Sequence, residues 1–141
     1  MVFVEHDSLS GHLEFLKEGD AYLKTVRNSG KRPDVFNPEI VFNLVGMAIE
    51  KLMMATLMHS GCLPENHTFR DLAEAWRAAV GEMEPGRRRL LESLDAHNNL
   101  CSLAAFQQTI PSPETMAGFV ELAEDLQREA HARLGVAALT A

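Results

Sequence analysis

Few of the signals that identify an enzyme or a strand-rich protein occur in this chain. Two cysteines, Cys62 and Cys101, are the whole complement in 141 residues. They form neither a CxxC pair nor a zinc-ligand spacing, so a disulfide scaffold and a zinc ribbon are excluded. We expect two reduced thiols, buried or half-buried. Runs of β-branched and aromatic residues alternating with polar ones are missing, which removes the evidence for strands. GxxxxGK[ST], GxGxxG, GxSxG and HExxH are absent, as is the ExxH pair of a di-iron bundle. The six histidines therefore define no metal site, although His6 and His12 are close in sequence and His59 and His67 straddle a turn. Basic residues are also scarce, with 13 Lys+Arg against 20 Asp+Glu and a net charge of −7. That balance disfavours a broad nucleic-acid surface, since phosphate neutralisation needs clustered cations. The first residues lack a cationic start followed by a long apolar stretch, so no signal peptide is expected. The most apolar segment, residues 40–58, is interrupted by Asn43, Glu50, Lys51 and Thr56. It reads as too short and too charged to span a bilayer, and we expect a soluble, cytoplasmic protein without membrane contact.

What is present is helical periodicity. A single domain over residues 1–141 is the expectation, since a chain of this size buries about two-thirds of its unfolded surface. The first helix is expected from Ser8 or Ser10 to Asn28, with Leu9, Leu13, Leu16, Leu23 and Val26 on one stripe. Gly19 reads as a weak point, costing about 1 kcal/mol relative to Ala. Gly30 reads as a left-handed stop, and Pro33 forbids continuation.

The second helix has the clearest start: Asn37 as cap, Pro38 in the first turn and Glu39 at the positive dipole end. It should end at His59-Ser60-Gly61. Val41, Val45, Ala48, Leu52 and Ala55 make one apolar stripe. The opposite side carries Met47, Glu50, Met54, Leu57 and Met58. A helix apolar nearly all round is covered on both sides. Either it lies at the centre of a bundle, or its second face meets another molecule. We expect the latter, with those five residues forming a homodimer interface that exploits adaptable methionines.

Thr68, with Asp71 three residues on, imitates a capping box for a third helix reaching Met83. Its inward residues are Phe69, Leu72, Ala75, Trp76, Ala79 and Val80. Trp76 and Phe69 read as core rather than base-stacking residues. Pro85 starts a further helical piece to Leu94. Residues 100–106 read as a short helix. Ser112 and Pro113 start the last long helix, which carries Met116, Phe119, Ala123, Leu126, Ala130 and Leu134 before Gly135 and a frayed Ala-rich tail. The fold expectation is all-α: an antiparallel up-and-down four-helix bundle with additional short helical segments.

The second helix and the turn after it carry Ala48-Ile49-Glu50-Lys51-Leu52, then Gly61, Pro64, His67 and Leu72. This pattern resembles the HEPN family, named for nucleotide binding in higher eukaryotes and prokaryotes. The likeness is specific over residues 37–76 and architectural elsewhere. It implies a helical bundle, usually a homodimer. Some members are metal-independent RNases, often toxins, with an Arg and a His separated by four to six residues. Others lack that pair and act as nucleotide-binding or accessory modules, commonly beside minimal nucleotidyltransferases.

Here the expected place holds Arg87, Arg88 and Arg89, then His97. Seven residues separate Arg89 from His97, one more than the family pattern. On an unbroken helix that offset is about 80° of rotation and roughly 12 Å of rise. Metal-free RNA cleavage needs His as general acid or base and Arg to stabilise the phosphorane. The residue types are right and the spacing is wrong. Arg88 or Arg89 with His97 therefore remain the candidates for a divergent RNase, and a kink or a second chain would be needed to join them. Arg87, Arg88 and Arg89 are also candidate phosphate ligands at a helix start. The plainer reading is a solvated face offset by Glu82, Glu84 and Glu92. Arg128 and His131 read as a surface cluster near a helix end, and His67 as a turn residue bonding the adjacent helix start.

The expectation is thus a non-catalytic HEPN-like binding or accessory module that needs no cofactor. It would form a homodimer and partner a nucleotidyltransferase or a nucleotide. RNA is disfavoured as a partner by the acidic charge. The alternatives are the divergent RNase and a generic helical interaction domain.

Overall fold

The computed structural model describes residues 2–3, 11–97 and 110–135. The expected helix start at residues 8–10, the expected short helix at 100–106, His6, Cys101 and the Ala-rich tail lie outside them. The described chain is dominated by five helices: α1 (His12–Asn28), α2 (Pro38–His59), α3 (Phe69–Ala79), α4 (Pro85–His97) and α5 (Pro113–Leu134). One antiparallel pairing of two-residue strands, β1 (Val2–Phe3) with β2 (Cys62–Leu63), sets Val2 opposite Leu63 and Phe3 opposite Cys62. Segments this short have no alternation to read, so nothing in the sequence announces them. The class is all-α.

Local chemistry explains where most helices begin. Asn37 accepts the Ile40 N–H at 2.9 Å, Thr68 the Asp71 N–H at 3.1 Å and Ser112 the Thr115 N–H at 3.2 Å. Each bond satisfies one of the donors that a helix start leaves open. α3 receives a further cap from outside its own segment, because the Asp95 carboxylate of α4 accepts the Phe69 and Arg70 N–H groups at 2.9 and 3.0 Å. Two helix ends differ from expectation. Gly30 is not left-handed, and α1 instead tightens into a 3-10 turn over Ser29–Lys31. α3 stops at Ala79 rather than Met83, because Gly81, at φ 136°, turns the chain away while its N–H still reaches the Trp76 carbonyl.

α2 occupies the centre. It packs on α1, α3 and α5, and its Phe42 ring meets His97 of α4 at 5.5 Å between centroids. Val45, Ala48, Ile49, Leu52, Met53, Ala55 and Leu57 are fully buried along it. Each large side chain so buried contributes roughly 1.5–3 kcal/mol. Its 22 residues are, by length and composition, enough to cross a membrane, contrary to the expectation from the shorter apolar run. Capping extends the helix beyond that run at both ends. Its apolar surface is covered mostly by the other helices of the chain, with 61% of the most apolar window buried.

Gly19 has a packing reason. A Cβ there would lie 2.8 Å from both Cγ and Cδ2 of Leu52. The glycine lets α1 approach α2 closely, which offsets its low helix propensity. Beside this contact Lys51 pairs with Glu18 at 2.8 Å and lies 4.4 Å over the Phe15 ring.

Candidate functional site

α4 carries the basic run, and its local geometry decides what the arginines can do. Glu84 folds back over the helix start, accepting the Gly86 N–H at 2.9 Å and the Arg87 N–H at 3.0 Å. Those two hydrogen bonds, Gly86 first, hold its carboxyl below the ordinary glutamate range. The place where a phosphate would meet the helix start is thus filled by the chain's own carboxylate. Arg88 is committed as well, to Glu74 at 2.7 Å and Glu92 at 3.2 Å. These carboxylates raise the Arg88 pKa, and the Arg88 and Arg77 hydrogen bonds lower that of Glu74. Arg89 is exposed.

His97 lies at the far end of α4. Its ring is edge-on to Phe42 and to Phe119, with centroids 5.5 and 5.9 Å away. The helix from Pro85 to His97 is continuous. Arg89 and His97 therefore stay about 80° and roughly 12 Å apart along it, and Arg88 falls on the opposite side from His97. The structure does not bring these candidates together within one chain.

The five candidate interface residues of α2 separate. Met54, Leu57 and Met58 are buried by the chain itself, so they do not present a free face. Their side of α2 is the centre of the fold, which was the other arrangement compatible with an all-round apolar helix. Met47 remains 40% exposed. Glu50 is half-buried and pairs with the ring Nδ1 of His67 at 3.1 Å. His67 thus clasps the α2–α3 turn to α2 and does not bond its own helix start.

One polar centre was missed by sequence reasoning. His131 is buried, not superficial, and its Nε2 lies 2.9 and 2.8 Å from the two oxygens of buried Asp20. Gln127 donates to Asp20 at 2.8 Å and accepts from Arg27 at 2.9 Å, and Arg27 pairs with Glu124 at 3.3 Å. The network ties α1 to α5. A signal existed: Asp20 falls between Leu16 and Leu23 on the inward stripe of α1, and His131 lies four residues after Gln127 and beside Ala130. Their pairing, 111 residues apart, had none.

A cavity of about 290 Å³ opens between the α3–α4 turn, the first turn of α4 and the second half of α5. Trp76, Val80, Met83 and Leu126 form its apolar floor, and Glu82, Glu84, Arg87, Asp125, Glu129 and Arg133 its charged rim. A smaller one of about 230 Å³ adjoins it across Glu84, Arg87 and Asp125. Among the described residues no three or more metal-ligating side chains cluster. Neither family models, nor curated proteins, nor solved structures give a significant match to this chain.

Proposed function

We propose that the chain is a non-catalytic HEPN-like module. On this reading it is an antiparallel up-and-down four-helix bundle, soluble and cytoplasmic, that pairs with a second copy. It serves as a binding or accessory partner to a nucleotidyltransferase or a nucleotide. The observation that carries the non-catalytic part is the state of α4. Its helix is unbroken, Arg88 is held by two carboxylates, and the His97 ring is packed against Phe42 and Phe119. Glu50 and His67, both within the resembling segment, touch at 3.1 Å, a contact compatible with this reading.

The test is incubation of the purified protein with a mixed RNA substrate in EDTA, beside His97→Ala and Arg89→Ala variants. Arg89 is exposed, so its replacement leaves the fold intact. No cleavage by the parent is the expected outcome. Cleavage that falls about a hundredfold or more in both variants would make the protein an RNase and sink this reading.

A further inference from the structure

The cavity between the α3–α4 turn and α5 has an unusual charge inventory. Three of its four rim carboxylates are already engaged. Glu84 caps α4, Asp125 holds Arg128 and Glu129 holds Arg133 at 2.7 Å. Glu82 is exposed and has no hydrogen bond or ion pair among the described residues. Of the two rim guanidiniums, Arg133 is engaged and Arg87 is not well satisfied. Among the described residues the nearest carboxylate to Arg87 is Asp125, at 3.8 Å, and its buried Nε has no acceptor there. A guanidinium carries five donors and normally spends them on bidentate pairs. The unfilled capacity of this rim is therefore one cation and one anion, above a floor containing Trp76 and Leu126.

We infer that this cavity binds a small zwitterion with an apolar side chain, of the class of a free α-amino acid. Arg87 takes the carboxylate, Glu82 takes the ammonium, and the side chain lies on Trp76. The volume, about 290 Å³, lies just below the usual range of small-molecule pockets, roughly 300–1,000 Å³. That size suits one amino acid and is too small for a dinucleotide. The assignment does not rest on the HEPN-like reading.

Trp76 is the only tryptophan in the chain, so its emission reports directly on the cavity. L-Leucine and L-phenylalanine would be titrated into the full-length protein. Phenethylamine, which lacks the carboxylate, and 3-phenylpropionate, which lacks the ammonium, would be run in parallel. Saturable change with an amino acid, at a Kd of about 1 mM or tighter, is expected. Affinity should fall about tenfold or more for either truncated analogue, and likewise in Arg87→Gln and Glu82→Gln. Arg87 and Glu82 are both partly or wholly exposed, and an unchanged circular dichroism spectrum would show each variant folded. No saturable change with either amino acid up to about 10 mM, confirmed by calorimetry, would overturn the proposal. So would equal binding by the acid-only analogue, or binding indifferent to Arg87→Gln. A misfolded Arg87→Gln would be replaced by Arg87→Lys, which keeps the charge, loses the fork and should weaken binding in the same direction.

Discussion

A carboxylate in a helix–helix seam loses hydration worth several kcal/mol unless hydrogen bonds replace it. Asp20 receives those bonds from His131 and Gln127, and it is the one buried carboxylate among the described residues. Removing one partner therefore strands the other. We expect His131→Ala to lower unfolding stability by about 3 kcal/mol, more than a surface histidine would. The double variant Asp20→Ala/His131→Ala should cost less than the sum of the two single changes, because neither partner is left alone. Urea unfolding of the four proteins checks this, and additive losses would mean the pair is not coupled. The same reasoning places Arg88 among structural residues. Two carboxylates hold it across α3 and α4, so its charge is spent on joining helices.

At the scale of the element, α4 shows how a helix start is closed to outside anions. Glu84 fills it, and its carboxyl titrates lower in the folded chain than the ordinary value of 4.5. A depressed folded pKa adds stability that is present above the unfolded value and disappears as pH falls through the folded one. The Glu84 contribution should thus be complete at neutral pH and fade below about pH 4.5. In Glu84→Gln the acid limb of the stability profile should be shallower. Thermal unfolding between about pH 2 and 7 is the measurement, and an unchanged acid limb would contradict the cap. α3 is closed differently, by Thr68 within its own segment and by Asp95 from α4. Propensity and capping within one segment account for the first kind of contact. The second kind requires α4 to have docked already.

At the scale of the molecule, the central position of α2 changes which residue tests the proposed homodimer. Met54 is 5% exposed, so an aspartate there would bury a charge and unfold the chain whatever its oligomeric state. Met47, at 40% exposure, is the informative site. If two copies pair through the outer face of α2, Met47→Asp should yield a folded monomer with nearly unchanged thermal stability. Light scattering at matched concentration distinguishes the states, and a dimer insensitive to Met47→Asp would exclude that face.

Helix type, order and many boundaries follow from the chain alone, because capping and periodicity are short-range. Asn37 with Pro38, Thr68, and Ser112 with Pro113 each act within a few residues, and the apolar stripes of α2 and α5 need no partner to be recognised. The site was far less visible. Sequence spacing showed that Arg89 and His97 are poorly placed for each other, since an unbroken helix fixes that offset. It could not show that Glu84 covers the start of α4, or that Arg87 is left under-coordinated. Nor could it show which side of α2 the other helices cover, or that Asp20 meets His131. Those depend on which surfaces come within about 3 Å after the helices pack, and hydrogen bonds and ion pairs act only at that range. Periodicity marks a residue as inward, and only the packed molecule decides what it meets there.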